Sequence, residues 1–195
     1  MTKDEIRKQI KNLFMENKPL LHKKILSISN TILTSDEYCT ADTILAYMAL
    51  DDEVDLGAVI ISAFVQEKMI AVPKVNLSSN TLDFYSFDSS AGSDYCMNDG
   101  YCGIKEPDEN KCRKLDLNTL SGNILVLVPG RAFTGKGDRL GRGKGFYDKF
   151  LSELKNLDKK NTCSIKTAGV CFDFQILQNL PVTENDVKMD LIFQG

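Results

Sequence analysis

A glycine-rich and basic segment, residues 124–148, contains the side chains of this sequence that are best suited to chemistry. Residues 124–128 are apolar without alternation, which predicts a strand buried on both faces. The glycines that follow allow backbone N–H groups to converge on an anion. These glycines are Gly130, Gly135, Gly137, Gly141, Gly143 and Gly145, and the nearby cations are Arg131, Lys136, Arg139, Arg142, Lys144 and Lys149. Together they predict a phosphate-binding loop.

The same segment is predicted to lead into the N-terminus of a helix. After Gly145, apolar residues return at helical spacing from Phe146 to Leu154. A helix N-terminus favours negative charge because its unpaired N–H groups and its dipole act in the same direction. The order of strand, glycine-rich loop and helix therefore points to a ligand that carries phosphate groups.

The segment departs from two familiar nucleotide-binding motifs. Gly130, Gly135 and Lys136 fit the first part of a P-loop, but Gly137 stands where a Ser or Thr should hold the metal ion. The glycines also do not form GxGxxG directly after the strand. An ordinary P-loop NTPase and a dinucleotide-binding site are therefore not expected. From these residues alone, a solvated basic loop stays open as the alternative.

Composition bounds the class of protein and of partner. The chain has 195 residues, 43% hydrophobic and 26% charged, which predicts a single globular domain over residues 1–195. The formal net charge is -3 and the pI is near 5.3. Because the protein as a whole is slightly acidic, its basic cluster is local and suits a small anionic ligand, and we expect no nucleic acid or membrane partner.

The remaining composition signals favour an intracellular protein without a structural metal site. No apolar run reaches the roughly 20 residues of a membrane-spanning helix, and the charged N-terminus does not resemble a signal sequence, so we expect a cytoplasmic protein. The six cysteines form no CxxC pair, and His22 is the only histidine. Free thiols and a surface histidine are therefore expected.

The elements that position these residues follow from periodicity. Apolar residues at helical spacing predict a helix from Lys3, and Pro19 breaks it before a second helix begins. Residues 43–49 predict a strand, residues 56–68 a helix with Asp55 as its N-cap, and residues 69–72 a second strand. Further strands are predicted near residues 82–87, 124–128, 166–172 and 191–193, with a long loop over 89–110 and a short helix over 175–180.

The predicted order of elements gives a fold class. A strand, a helix and a strand at this spacing form a βαβ unit, and hence a largely parallel sheet. The fold that we predict is α/β, a three-layer α/β/α sandwich around a largely parallel, mixed, Rossmann-like sheet. Ligands bind such sheets beyond the carboxyl ends of the strands. The acidic turn at residues 50–55 and the glycine-rich segment should therefore lie on the same edge.

The ordered blocks of the sequence resemble the 5-formyltetrahydrofolate cyclo-ligase family, also called methenyltetrahydrofolate synthetases. The resemblance runs from Lys3 to about Asp190, and RLGRGKGFYD is its most specific part. The blocks are LAYMALDDEVD, AVPKV, GIKEP, LVPGRAF, RLGRGKGFYD, CFDFQ and LPVTENDVKMD. The resemblance implies an ATP- and Mg²⁺-dependent enzyme that converts 5-formyltetrahydrofolate to 5,10-methenyltetrahydrofolate, ADP and phosphate through an imidate phosphate.

The resemblance also implies roles for individual residues. The nucleotide site would comprise Lys3, Arg7, Arg139, Leu140, Gly141, Arg142, Gly143, Lys144, Gly145, Phe146 and Tyr147. The folate site would comprise Met48, Glu53, Arg142, Gly143, Lys144, Gly145 and Phe146. Catalysis would rest on Arg142, Lys144 and Tyr147, and Mg²⁺ would be held by Asp148 and Asp186. Without the resemblance, Lys3 and Arg7 would be assigned to a solvated helical face and the two aspartates to ordinary surface acids.

Three positions depart from the family pattern. Phe146 stands where a tyrosine is more usual, and Arg131 and Thr134 stand where a smaller residue and an acid are more usual. The loss of a hydroxyl at Phe146 motivates an alternative function, a folate- or nucleotide-binding module that keeps the fold but lacks catalysis. A nucleic-acid binder is a third hypothesis, which the acidic pI opposes. We expect a monomer.

Overall fold

The protein, described here by a computed structural model, is built around a seven-stranded sheet. The structure describes residues 1–86, 97–100, 103, 105–158, 163–184 and 186–195. In these ranges the helices are α1 (Lys3–Asn17), α2 (Leu21–Leu33), α3 (Asp36–Thr40), α4 (Gly57–Val65) and α5 (Phe146–Asp158). The first strands are β1 (Thr43–Leu45), β2 (Met69–Asn76), β3 (Thr81–Ser86), β4 (Met97–Asp99), β5 (Lys105–Pro107) and β6 (Arg113–Lys114). The remaining strands are β7 (Gly122–Pro129), β8 (Ala132–Thr134), β9 (Arg139–Leu140), β10 (Cys163–Cys171), β11 (Ile176–Leu177) and β12 (Leu191–Gln194).

The large sheet is mixed but mostly parallel, as predicted. Its order is β12-β10-β7-β1-β2-β3-β6, and all pairs from β12 to β2 are parallel. Strands β3 and β6 add antiparallel pairs at one edge. Thr43 of β1 lies opposite Met69 of β2 on one side and opposite Ile124 of β7 on the other. The three strands are therefore aligned at this row of the sheet. Two small sheets, β11-β8-β9 and β4-β5, lie outside this order.

Helices cover both faces of the sheet, which confirms the three-layer architecture. Along β7, Leu125 and Leu127 pack in one core cluster with α1, α2 and α4. The alternate residues Ile124, Val126 and Val128 pack in a second cluster with α5. Successive side chains of a strand point to opposite faces, so an unbroken apolar run is what a doubly covered strand requires. The sheet takes strands from both halves of the chain, and a single domain over residues 1–195 remains our prediction.

Local signals explain where the N-terminal helices begin and end. Thr2 and Glu5 form a capping box, in which Thr2 Oγ1 accepts from the Glu5 N–H and Glu5 Oε2 accepts from the Thr2 N–H. Pro19 lies in a short 3₁₀-helix, Lys18–Leu20, between α1 and α2, which confirms the predicted break. The capping box fixes the first turn of α1, which carries Lys3.

No described helix is long and apolar enough to cross a membrane.

The predicted helix over residues 175–180 is wrong. The chain instead forms a 3₁₀-helix, Asp173–Gln175, and then β11, which pairs in parallel with β8. Strand pairing with Phe133 and Thr134 overrides the local helical pattern here. The buried side chain of Gln175 is held by backbone partners, which also fixes the chain in this path.

Other element boundaries were displaced. The strand predicted over residues 43–49 ends at Leu45, and the strand predicted over 69–72 continues to Asn76. Helix α4 ends at Val65 and begins after Leu56; Asp55 precedes its N-cap and accepts from the Gly57 N–H at 2.8 Å. The predicted loop over 89–110 contains the β4-β5 ribbon, and residues 89–96, 101, 102 and 104 of it lie outside the described residues.

The histidine and the cysteines agree with the prediction of a surface histidine and free thiols, where they are described. His22 is exposed, and Cys39, Cys163 and Cys171 form no disulfide. Cys96 and Cys102 lie outside the described residues.

The central strand gives a test of the fold. Leu127→Ala should lower the free energy of unfolding by about 2 to 5 kcal/mol, because Leu127 is fully buried between sheet and helices and its removal leaves a cavity. Leu77→Ala makes the same chemical change at a side chain that is 65% exposed and should cost about 0.5 kcal/mol or less. Denaturant unfolding of both variants measures the difference, and equal losses would contradict the assigned core.

Candidate functional site

A pocket opens where β1 and β7 end, at the carboxyl edge of the sheet. The acidic turn at residues 50–55 follows β1, and the glycine-rich part of residues 124–148 follows β7. The two therefore meet at this edge, as predicted. Strand β2 runs on beyond Ala71, the last residue of β2 that pairs with β1, and forms another wall. The lining residues are Tyr47, Met48, Leu50, Glu53, Pro73, Val75, Leu82, Glu106, Pro129, Gly130, Arg139, Gly141, Arg142, Lys144, Gly145, Phe146, Tyr147 and Asp148.

The glycine-rich segment is a hairpin followed by a helix-entry loop. Strands β8 and β9 pair antiparallel, and Gly135 and Lys136 lie at the exposed turn between them. Residues 141–145 then lead into α5. The GK pair of the near P-loop is therefore far along the chain from a helix N-terminus, which confirms that this is not a P-loop. The later loop is the one that lines the pocket, through Gly141, Arg142, Lys144 and Gly145.

Two glycines of the helix-entry loop have a backbone that requires glycine. Gly143 has φ +99° and Gly145 has φ +72°, values that side chains with a Cβ rarely adopt. At Gly143 a Cβ would also lie 3.3 Å from the Arg7 guanidinium. The positive φ values turn the loop so that it passes between α1 and the N-terminus of α5.

Helix α1 docks against this loop through its predicted ligand-binding cations. Arg7 donates from Nε to the Gly141 carbonyl at 3.0 Å and from Nη1 to Asp4 at 2.6 Å. Lys3 donates to Asp186 Oδ2 at 2.7 Å. Both cations are partly buried and are not on a purely solvated face. The structure thus brings α1 to the glycine-rich loop, although neither Lys3 nor Arg7 lines the pocket.

The acidic turn is held in shape by its own hydrogen bonds. The Tyr47 hydroxyl donates to the Val54 carbonyl at 2.8 Å inside the core. The Leu50 N–H donates to Glu53 Oε2 at 3.1 Å, and the Glu53 N–H donates back to the Leu50 carbonyl at 2.9 Å. This closed turn gives the Glu53 carboxylate one orientation, toward the glycine-rich loop.

A charge network joins the acidic turn to the glycine-rich segment. Arg142 donates from Nε to Glu53 Oε1 at 2.9 Å and from Nη2 to Asp52 Oδ1. Arg131 donates to the other oxygen of Asp52. We call these four side chains, Arg131, Asp52, Arg142 and Glu53, the rim network. Both oxygens of Glu53 and both oxygens of Asp52 therefore accept hydrogen bonds within the protein.

The rim network shifts the pKa values of Asp52 and Arg142. Burial alone would raise the pKa of Asp52, but hydrogen bonds and charges from Arg142 and Arg131 outweigh it and hold that pKa below its usual value of 3.8. Burial alone would lower the pKa of Arg142, but the charge of Glu53 and the hydrogen bonds to both acids raise it. The Asp52 carboxylate and the Arg142 guanidinium are therefore both charged near neutral pH.

A buried cation lies deeper in the pocket. Arg139 is 5% exposed, and it donates from Nη1 to the Pro129 carbonyl at 3.1 Å and from Nη2 to Asp148 Oδ1 at 2.8 Å. Its guanidinium also lies over the Tyr147 ring, 5.7 Å from the centroid. Among the described residues, Arg139 Nε and the Tyr147 hydroxyl are buried without a hydrogen-bond partner. Buried donors that are left unpaired in a pocket mark a place where a ligand oxygen could accept their hydrogen bonds.

Tyr147 keeps its proton in this environment. Burial raises its pKa well above the ordinary value, the negative charge of Glu53 raises it further, and the positive charge of Arg139 opposes both. The hydroxyl is therefore a hydrogen-bond donor, not an anion, near neutral pH.

The carboxylates predicted for Mg²⁺ remain suited to a hard cation. Asp148 Oδ1 pairs with Arg139, and Asp186 Oδ2 accepts from Lys3 and Thr183, while the second oxygen of each has no partner among the described residues. Burial alone would raise the pKa of Asp186, but the bonds from Lys3 and Thr183 lower it, so its carboxylate is charged. The described residues contain no group of three or more His, Cys, Asp or Glu placed for a metal ion. One or two carboxylates suffice for Mg²⁺ that also binds phosphates and water.

The pocket contains most, but not all, of the predicted site residues. Met48, Glu53, Arg139, Gly141, Arg142, Lys144, Gly145, Phe146, Tyr147 and Asp148 line it. Leu140 is instead buried in the core, Gly143 faces Arg7, and Asp186 lies beside Lys3. Their assigned roles stay predictions.

Sequence reasoning missed the wall opposite the glycine-rich loop, which contains Pro73, Val75, Leu82 and Glu106. Three of these positions, Pro73, Val75 and Glu106, lie in the blocks AVPKV and GIKEP, to which no role was attached. Gln175 was also missed: its Nε2 donates to the carbonyls of Gly130 and Arg131 at 2.9 and 3.1 Å and holds the end of β7 in place. Burial of an amide side chain is not visible in a sequence pattern.

The fold and the pocket define an α/β protein that presents a cationic glycine-rich loop beside an apolar crevice. The model of the 5-formyltetrahydrofolate cyclo-ligase family matches residues 1–195, so the chain belongs to this family of ligases.

Individual relatives agree with the family match. A Mus musculus protein named 5-formyltetrahydrofolate cyclo-ligase is 28% identical over 186 residues, covering 95% of this chain and 88% of its own. A protein of the same name from Haemophilus influenzae is 30% identical over 175 residues, which cover 89% of this chain and 87% of that protein. The NMR structure of Aquifex aeolicus 5,10-methenyltetrahydrofolate synthetase superposes with a TM-score of 0.71 at 25% identity, covering 100% of this chain and 90% of that one.

The rim network gives a pH-dependent prediction. Asp52→Asn should lower the free energy of unfolding by about 1 to 3 kcal/mol at neutral pH, because it removes charged hydrogen bonds to two arginines. The folded-state pKa of Asp52 lies below 3.8, so its stabilisation is complete above that value and is lost as the pH falls through the folded-state pKa. The difference between variant and wild type should therefore shrink in acid.

The matched control is Asp51→Asn, which changes an exposed neighbour outside the rim network. Unfolding curves at neutral and acidic pH measure all three proteins. A destabilisation that is equal for the two variants, or that does not change with pH, would contradict the network.

Proposed function

We propose that this chain catalyses the ATP- and Mg²⁺-dependent cyclisation of 5-formyltetrahydrofolate to 5,10-methenyltetrahydrofolate, with release of ADP and phosphate. The family to which it belongs supports the reaction. The observation that carries the proposal is the pocket itself. In it the cations Arg139, Arg142 and Lys144 line a crevice whose apolar wall comes from strands β2 and β3. Such a pocket suits a phosphate group and a flat ring side by side.

The chemistry explains why both substrates must meet. The oxygen of an N-formyl group is a poor leaving group, so water cannot be lost directly in the ring closure. Transfer of the γ-phosphoryl group of ATP to the formyl oxygen gives an imidate phosphate and ADP. Nitrogen 10 of the folate then attacks the formyl carbon and loses its proton, the carbon–oxygen bond breaks, and inorganic phosphate leaves with the oxygen.

The residues supply positioning and charge, which is most of what phosphoryl transfer asks of a protein. Arg142 and Lys144 neutralise charge on the transferred group, and the N-terminus of α5 adds its dipole. The protonated hydroxyl of Tyr147 and the unpaired Nε of Arg139 donate to oxygens of the reacting groups. Lys3 and Arg7 hold the nucleotide from α1, and Met48 and Glu53 contact the folate.

Mg²⁺ would be held by Asp148 and Asp186 through the oxygens that have no partner in the described residues. The ion, when bound, neutralises phosphate charge. The pairing of Asp148 with Arg139 and of Asp186 with Lys3 already fixes how each carboxylate points. We also expect the enzyme to be a cytoplasmic monomer.

The first test is an absorbance assay for methenyl-folate with purified protein and 5-formyltetrahydrofolate. Absorbance should grow only when ATP and Mg²⁺ are both present, and phosphate should appear in equal amount. Phe146, which lines the pocket without a hydroxyl, motivates the alternative of a binding module that lacks catalysis. Tight binding of ATP and folate by calorimetry together with no product would favour that alternative and overturn the proposal.

Arg142 provides the sharpest variant. Arg142→Ala should lower kcat by about 100-fold to 1000-fold, because a donor aimed at developing charge is lost. Arg142→Lys keeps the positive charge but loses the planar guanidinium with its paired donors. Its kcat should therefore lie between those of the wild type and Arg142→Ala. Arg113→Ala removes an exposed arginine on β6, outside the pocket, and should leave turnover close to wild type. Wild-type turnover in Arg142→Ala would remove this residue from the mechanism.

A further inference from the structure

We infer that Glu106 is the residue that recognises the hydrogen-bond donors of the folate's pterin ring, and so helps to select the substrate. No role was assigned to this side chain by sequence. It lies on β5, in the ribbon that packs against β2, and it lines the pocket on the wall opposite the glycine-rich loop. The inference rests on the proposed function, because it names the group in that substrate to which Glu106 binds.

The Glu106 side chain is held in place from two sides. Its Oε1 accepts the Val75 N–H at 3.3 Å, on a part of β2 that lies beyond the pairing with β1. On the other side it packs on Gly100, where an added Cβ would lie 2.3 Å from Glu106 Cγ and 2.4 Å from Oε2. The missing side chain at Gly100 therefore makes the room that the carboxylate occupies.

Glu106 has an unmet requirement that a ligand would meet. The residue is only 7% exposed, yet its carboxylate forms no ion pair with a described residue. Lys74 is near enough to be influenced by its charge, but the Lys74 ammonium bonds to Glu109 at 2.7 Å. Oε2 accepts no hydrogen bond from any residue that the structure describes. Oε2 is not fully buried, so it remains open to the pocket and can accept a hydrogen bond from a ligand.

The other acids of the pocket are already used by the protein. Both oxygens of Glu53 accept hydrogen bonds, from Arg142 and from the Leu50 N–H. Asp148 pairs with the buried Arg139. Glu106 is thus the pocket acid that no described cation holds. Glu53 remains a predicted folate contact, but one that must first give up a bond to Arg142.

The chemistry of the two substrates decides which of them Glu106 binds. The pyrimidine edge of a reduced pterin carries an amino group beside a ring N–H, two donors that match one carboxylate. The adenine of ATP presents its amino group beside an acceptor nitrogen, and its phosphates would be repelled by an acid. Pro73, Val75 and Leu82 line the same wall and would contact a ring lying flat against β2 and β3.

The experiment measures binding as well as turnover. Glu106→Gln keeps the size of the side chain and an acceptor for the Val75 N–H but replaces the free acceptor by an N–H₂ donor. The Kd and KM for 5-formyltetrahydrofolate should rise by about 10-fold to 100-fold, the loss expected for one hydrogen bond to a charged group, while the KM for ATP stays unchanged. Gly100→Ala, which displaces the carboxylate, should shift the same constants in the same direction.

A substrate analogue separates recognition from a structural role. The wild-type protein should bind the 2-desamino analogue of 5-formyltetrahydrofolate about 10-fold or more weakly than the parent, and Glu106→Gln should bind the two almost equally. Glu153→Gln, which changes an exposed acid of α5 outside the pocket, should behave as wild type.

Each outcome is decisive for one proposal. Unchanged folate binding in Glu106→Gln, an equal rise in the KM for ATP, or undiminished discrimination against the analogue would overturn the assignment of Glu106. A wild-type protein that binds 5-formyltetrahydrofolate by calorimetry but forms no methenyl product would instead overturn the proposed reaction and leave the assignment of Glu106 standing.

Discussion

The ion pair between Arg139 and Asp148 is the interaction on which the geometry of the pocket depends. Arg139 is almost fully buried, and its guanidinium joins the last carbonyl of β7, at Pro129, to the first turn of α5, at Asp148. Removing one partner of such a pair typically costs about 3 to 5 kcal/mol, because the other charge is left buried and unpaired. The strand end and the helix start are therefore held at a fixed separation, and the loop between them is held to one path.

The rim network has a different character, because it can exchange partners. Its two arginines and two acids balance in charge, so in the absence of a ligand none of them is left unpaired. A phosphate group that reaches Arg142 offers a stronger acceptor than a carboxylate that is already shared. Arg131 would then keep Asp52 in place while Arg142 turns toward the ligand. The pocket therefore combines one buried ion pair, Arg139–Asp148, with more exposed pairs at Arg142 that a bound anion could replace.

The sequence predicted those parts of the fold that depend on local pattern. The unbroken apolar run at residues 124–128 required a doubly covered strand, and the return of helical spacing after Gly145 located the start of α5. It failed at residues 175–180, where pairing of β11 with β8 decided the outcome. The glycine-rich half of the pocket was predicted because it is continuous in sequence. The opposite wall was not, since Glu106 reaches the pocket only through the packing of β5 on β2.

Two of the three positions that depart from the family pattern, Arg131 and Thr134, are accommodated by neighbours in this chain. Arg131 pairs with Asp52, so the added charge is neutralised at the rim. Thr134 donates from Oγ1 to Asp138 Oδ2 at 2.8 Å and accepts from the Asp138 N–H at 3.1 Å, which closes the β8-β9 turn. Both residues precede Arg139 in the chain, although Arg131 shares Asp52 with Arg142. Because these two side chains are satisfied by their neighbours, neither requires a change in the path of the helix-entry loop.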